Sequence, residues 1–263
     1  MLYYKHNGRV RKITRLYTKE GGHLKRLLGL YTRSGTGQVR WLGTGEVEVP
    51  NNTHITLLTD NQFVDYDPNH TDKDKEASNL YRLLEDNGLS FTALDSLNQH
   101  TLERRLNLSS RFIFPNYEKN NDLDESSQTL LRKFVSQGGK LFVFSNELSL
   151  NQNFLSACFG WSLSFSQNNS ISIPRVMTGG FYNSMPGNIP GQNDTFLLSS
   201  ASLPAGSQPI YQVDISTQLY SAVVKIPYGT GEVCYFGWDW FNALPVGTED
   251  GGWGTVLDLL LRN

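Results

Sequence analysis

Three copies of one short motif open the chain and limit what its first part can fold into. The segments LYYKHNGRVRKITR (2 to 15), LYTKEGGHLKRLLG (16 to 29) and LYTRSGTGQVRWLG (30 to 43) align at a 14-residue period, with one residue inserted in the third. Leu-Tyr recurs at 2/3, 16/17 and 30/31, and a base follows at Lys5, Lys19 and Arg33. Turn signals come next at Asn7-Gly8, Gly21-Gly22 and Gly35-Thr36-Gly37, and then an apolar/basic alternation, clearest in Val10-Arg11-Lys12-Ile13. Asn-Gly and Gly-Gly between two alternating runs supply the positive φ that primed turns need, so each repeat is expected to be one β-hairpin. A hairpin of this size cannot bury its own apolar face. The three must therefore stack on each other, on another copy of the chain or on a partner. Attachment is the expected role, with Leu2, Tyr3, Tyr17, Tyr31, Arg11, Lys25, Arg40 and Trp41 as the contact residues.

Charge separates this segment from the rest. Residues 1 to 43 hold ten Lys/Arg and one acid, Glu20, whereas the remaining 220 residues hold 13 bases and 24 acids. A basic module of +9 is thus joined to an acidic domain of −11. A basic stripe with interleaved Tyr and Trp also suits nucleic acid, by neutralising phosphates and stacking bases. Aromatics at strand spacing more commonly pack a sheet face, so nucleic acid is the secondary reading.

Apolar residues make up 38% of the 263 and charged residues 18%, which favours an ordered chain over a disordered one. The longest apolar runs, such as Ile55 to Leu58 and Leu141 to Phe144, fall far short of a membrane span. The basic start lacks an apolar h-region, so no signal peptide is expected and folding is placed in a cytoplasm. Cys158 and Cys234 form neither a disulfide framework nor a metal spacing, and are expected to pack as small hydrophobes.

After a linker at 44 to 52, which carries a short strand-like piece at Glu46 to Pro50, residues 53 to 263 alternate between strand and helix patterns. Strands are expected at 54–59, 89–94, 111–114 and 140–145. Helices are expected at 74–87, with Asp72 or Asp74 as N-cap and Gly88 beyond its end, at 97–106, and from an Asp124 cap to Gly138-Gly139. Such alternation with short connections implies a parallel sheet with right-handed crossovers. From about residue 161 the chain turns Ser/Asn/Gly/Pro-rich with antiparallel-type runs at 211–215 and 221–226. A strand at 232–238 and a helix at 254–262 close it.

Two resemblances follow from these motifs. The Leu-Tyr, Asn-Gly, Lys/Arg hairpin repeats at the extreme N-terminus resemble the attachment modules at the start of bacteriophage tail and virion proteins. This implies a virion location, tail-protein partners and multiple copies in a symmetric assembly. The order of the later pieces resembles the class I glutamine amidotransferase-like fold, a flavodoxin-like three-layer α/β domain. That second likeness is carried by Phe134-Val-Ser-Gln-Gly-Gly-Lys-Leu141, by Tyr228-Gly-Thr-Gly-Glu-Val233 and by Gly237-Trp238-Asp239.

Active members of that family place a nucleophilic Cys on a strand-to-helix elbow and a catalytic His downstream. Here the elbow reads Phe144-Ser145-Asn146-Glu147-Leu148, and all five histidines (His6, His23, His54, His70, His100) precede residue 101. The family's triad cannot be assembled in its usual order, so a non-enzymatic domain without a cofactor is expected. Ser145 paired with His54, His70 or His100 is the alternative, a hydrolase of this fold.

Two further clusters carry possible chemistry. Asp65, Asp67, Asn69 and Glu76 stand at positions 1, 3, 5 and 12 of an EF-hand-like loop, although His70 replaces the expected Gly and Pro68 stiffens the turn. Helix capping explains the same acids. Trp238, Asp239, Trp240 and Trp253 could form a platform for a host-surface glycan, or pack over the sheet end and hold down the last helix.

Overall fold

The computed structural model describes the chain except residues 1, 7–8, 14–16, 21–22, 28–30, 34–38, 42–45, 49–53, 70–74, 118–122, 146–149 and 244–250. The strands up to residue 48 and residues 150–153 are described as backbone only. The expected hairpin turns (Asn7-Gly8, Gly21-Gly22, Gly35 to Gly37), the caps Asp72 and Asp74, His70, and Asn146 to Leu148 lie outside the described residues. The chain divides into two compact units, Met1–Asn51 and Asn52–Asn263.

In the first unit each repeat is one antiparallel hairpin: β1 (Leu2–His6) with β2 (Arg9–Ile13), β3 (Tyr17–Glu20) with β4 (His23–Leu27), and β5 (Tyr31–Arg33) with β6 (Val39–Trp41). The register carries the sequence period. Tyr3 stands opposite Lys12 and Tyr17 opposite Arg26, both 14 residues on; Tyr31 stands opposite Trp41, one residue later than the period would place it. The inserted residue of the third repeat is therefore absorbed between its two strands. A seventh strand, β7 (Glu46–Glu48), forms at the strand-like piece expected within the linker and pairs with β4 in the first unit, Lys25 opposite Glu48.

The second unit is a flavodoxin-like α/β fold with a mostly parallel central sheet. Five parallel strands, β8 (Ile55–Leu58), β9 (Phe91–Leu94), β10 (Arg111–Phe114), β11 (Lys140–Phe144) and β18 (Gly231–Phe236), lie in the order β9-β8-β10-β11-β18. The sheet continues antiparallel through β17 (Gln218–Tyr228), which pairs with both β15 (Phe196–Ser199) and β16 (Gln208–Ile215), and ends at β12 (Phe165–Gln167). A separate short ribbon joins β13 (Ser172–Pro174) to β14 (Asn188–Pro190).

Two helical layers flank the parallel part. Helices α1 (Glu76–Asp86) and α5 (Trp253–Arg262) bury Leu80, Leu83, Val256 and Leu260 against Ile55, Phe142, Phe144 and Phe236. Helices α2 (Gln99–Leu108), α3 (Glu125–Ser136) and α4 (Leu150–Phe159) bury Leu102, Leu131 and Leu155 against Phe112, Leu141, Val143 and Tyr235 on the other face. The two-residue period of a strand explains this: Leu141 and Val143 face one layer, Phe142 and Phe144 the other.

Local signals hold at most boundaries. The Asp124 carboxylate accepts the Ser127 amide at 2.7 Å as the α3 cap, and Gly88 takes φ +65° after α1. Helix α1 differs from expectation, because it starts at Glu76 from Lys75 without a side-chain cap bond. The two glycine signatures of the amidotransferase-like resemblance meet in space. Both the amide and the hydroxyl of Thr230 donate to the Ser136 carbonyl, at 3.1 and 3.0 Å, and a Cβ on Gly231 would run into the carbonyls of Val135 and Gly139. The end of α3 and the β17–β18 turn thus need glycine because their backbones touch.

Candidate functional site

In an open parallel sheet, ligands sit outside the carboxyl ends of the strands where the strand order reverses. Here that point lies between β8 and β10, so the crevice is bounded by Thr59 and Asp60 on one side and by Asn116 and Tyr117 on the other. All four residues are buried. The Asp60 carboxylate accepts the amides of Leu97 at 2.9 Å and Gln62 at 3.0 Å, and its carbonyl accepts those of Phe63 and Val64. One buried acid thereby fixes the loop after β8 to the loop after β9. The rest of the crevice is filled from within: Phe63 stacks on Tyr117 with centroids 6.0 Å apart, Tyr117 leans on Phe114 and Phe154, and Val64 is fully buried. Sequence reading missed Asp60, although an Asp directly after a buried strand is an Asx-turn signal.

The acids of the EF-hand-like loop are engaged in local structure. Asp65 pairs with Lys75 at 2.9 Å, and its hydrogen bond holds the lysine ammonium above its ordinary range. The Asp67 carboxylate accepts the Asn69 amide at 2.9 Å, and the Asp67 backbone exchanges two bonds with Ser78. Glu76 is buried in the first turn of α1. Among the described residues no group of three or more His, Cys, Asp or Glu is gathered as a metal would need. Within the described residues these carboxylates organise the entry to α1, Asp65 through Lys75 and Asp67 through Asn69 and Ser78.

At the elbow position Ser145 is buried, and its hydroxyl donates to the Asp194 carbonyl at 3.4 Å. His54 precedes β8 and so stands at the amino edge of the sheet, its ring 3.2 Å from the Thr92 hydroxyl, the length of a strand away from Ser145. His100 is exposed in the first turn of α2. Neither thiol is activated. Burial pushes Cys158 up to about 12 and raises Cys234 further.

The aromatic loop after β18 leaves the same edge as the loop after β8, as parallel pairing requires. Its side chains point inward. Trp238, Trp240 and Trp253 are 0%, 1% and 0% exposed, and Asp239 is buried. The indoles of Trp238 and Trp240 stack at 4.9 Å, Trp253 lies 6.0 Å from Trp238, and Phe144 meets Trp240 edge-on at 5.1 Å. The Asp239 carboxylate accepts the Phe241 amide at 3.0 Å, the Trp253 indole donates to the Pro190 carbonyl at 2.9 Å, and the Asn79 amide donates to the Trp240 carbonyl at 3.0 Å. Trp240 itself sits at φ +71°, a left-handed conformation rare for a bulky residue. A sugar stacks on an exposed ring face, whereas these rings are core that joins the sheet end to α1 and α5, the packing alternative for this cluster.

Solved structures similar to this chain share its fold at low identity. A ThuA-like protein from Bacteroides uniformis superposes with a TM-score of 0.54 at 11% identity, over 83% of this chain and 93% of its own. A cytoplasmic protein of Salmonella typhimurium LT2 gives 0.52 at 12%, covering 80% and 98%, and the N-terminal domain of mmIFT52 gives 0.54 at 12%, covering 79% and 96%. No protein-family model and no curated protein matches the chain. The likeness bears on fold alone, and that fold is flavodoxin-like with three layers.

Proposed function

We propose that the protein is a structural component of a bacteriophage virion, tail-associated, attached through its N-terminal hairpins and displaying an α/β unit that performs no amidotransferase chemistry. The observation that carries this reading is the repeat. Three copies of one 14-residue hairpin form a unit separate from the α/β unit, and hairpins that small require a surface to cover their apolar faces. Neighbouring tail proteins in a symmetric, many-copy assembly supply that surface. The α/β unit supports the same reading through its carboxyl edge, where Ser145 replaces the nucleophile, Phe63 and Tyr117 fill the crevice, and the tryptophans are packed inward.

The test is transfer. Residues 1 to 51 fused to an unrelated soluble carrier should bring the carrier into assembled virions, whereas a basic peptide of equal charge should not. A carrier left wholly in the unassembled fraction would overturn the attachment reading. Glutaminase or esterase turnover that disappears in Ser145→Ala would instead establish the hydrolase.

A further inference from the structure

The parallel sheet ends at β9, which pairs with β8 on one side and is the last strand of the order on the other. The Leu94 carbonyl accepts the Thr59 amide at 2.8 Å and so faces β8. Backbone groups of successive strand residues alternate in direction, which turns the amides and carbonyls of Phe91 and Ala93 outward. Among the described residues no backbone group bonds to them, and Ala93 is exposed. An open edge of this kind is a template for another strand.

Its surroundings are apolar and acidic. Tyr81 of α1 meets Phe91 edge-on with centroids 4.9 Å apart, Tyr66 lies 5.5 Å from Tyr81, and all three rings are half-buried. Glu85 is within electrostatic reach of both tyrosine hydroxyls, and Asp95 follows the strand, exposed. Helix α1 ends on Glu85 and Asp86 with no base in its last turn, so acids stand where the helix dipole is already negative. The Arg262 guanidinium that donates to the Asn87 carbonyl there is itself paired with Asp258. A basic strand with an open edge of its own suits such a surface, and this chain contains one. Strand β2 (RVRKI) holds three bases in five residues and, among the described residues, pairs with β1 alone, whereas β4 is paired on both sides and β7 is acidic. The charge complementarity is a net quantity that internal ion pairs leave unchanged: +9 over residues 1 to 43 against −11 over the rest.

We propose that β9 of one copy accepts β2 of a second copy as an added strand, which brings the bases of β2 to the acids around Tyr81. The inference rests on the attachment reading above and names the partner as the chain itself. Donor and acceptor are different surfaces, so the contact is heterologous and propagates from copy to copy into a ring or a filament.

The experiment measures the mass of full-length protein by light scattering after size exclusion, at about 50 mM and about 500 mM salt. Oligomers larger than a dimer are expected at low salt and are lost at high salt. Ala93→Pro removes an outward amide and no bond to β8, so it should leave the melting temperature nearly unchanged and weaken association about tenfold. Replacing Arg9, Arg11 and Lys12 together by Gln should weaken it from the other side. A mixture of the two variants restores one sound hairpin and one sound edge and should give a dimer and nothing larger, a repair that an interface of two like surfaces would not show. Where the proline folds poorly, the fusion of residues 1 to 51 to a carrier takes its place and should bind the glutamine variant one to one. Full-length protein that stays monomeric at low salt, oligomers that a folded Ala93→Pro leaves intact, or a mixture with no dimer would each overturn the proposal. Entry of the carrier fusion into virions in those cases would keep the attachment reading and discard only this partner.

Discussion

The two units of this chain obtain their structure in opposite ways. In the hairpin unit every repeat pairs strands that are neighbours in sequence, and the 14-residue period reappears as register, down to the one-residue offset at Tyr31 and Trp41. In the α/β unit the central pairing joins β11 to β18, about ninety residues apart, and the core residues of both faces come from every element. Local pairing is cheap in loop entropy but buries little, whereas distant pairing closes long loops and is rewarded by a continuous core. The hairpins therefore depend on what covers them, and the α/β unit depends on its own packing.

Substitutions in the α/β core should have the largest effect on stability. Trp253→Ala removes a fully buried indole that packs on Trp238 and donates to Pro190, and should cost about 3–5 kcal/mol in denaturant unfolding. A cost below about 1 kcal/mol would show the tryptophan cluster to be loosely packed and reopen a binding role for it. Gly231→Ala drives a methyl into the carbonyls of Val135 and Gly139 and should cost about 1–3 kcal/mol. It tests whether the two glycine motifs are structural partners, and an unchanged denaturation midpoint would separate them.

Smaller still is the cap of α3. Asp124→Ala should cost about 1 kcal/mol. Hydrogen bonds from Ser126 and Ser127 hold the Asp124 carboxyl below its ordinary value. Its contribution is therefore complete above the unfolded carboxyl pKa of about 3.9 and is lost as the pH falls through the lower folded value. The difference between wild type and variant should narrow in acid, and a constant difference down to pH 2 would contradict the cap. The smallest effect belongs to the hairpins: Arg11→Gln with Arg40→Gln should leave the unfolding free energy of the α/β unit within about 0.5 kcal/mol while reducing incorporation into particles.

Much of the fold could be read from the sequence, because the signals were local. Ala77, Leu80, Leu83 and Leu84 make one buried stripe on α1, Asp124 caps α3, and Arg111 to Phe114 is a strand with the expected ends. The site was less legible for two reasons. Residue type does not say which way a side chain points, so Trp238 and Trp240 read as platform or as core until their burial, and the left-handed backbone at Trp240, are known. Nor does sequence order reveal which strand ends a sheet: β9 stands between β8 and β10 in the chain but outside both in the sheet, which is what opens the edge at Phe91 and Ala93. The side-chain oxygens of Asp65, Asp67 and Asn69 match a loop spacing, yet Lys75, outside that spacing pattern, is what pairs with Asp65.

The most direct test of the account removes the first unit. Residues 52 to 263, produced during infection beside wild-type assembly proteins, should fold with the melting temperature of the full-length α/β unit and be absent from purified virions by quantitative mass spectrometry, while the full chain is present in many copies per particle. Incorporation of the truncated chain at the full-length level would contradict the account, because attachment would then belong to the α/β unit and not to the hairpins.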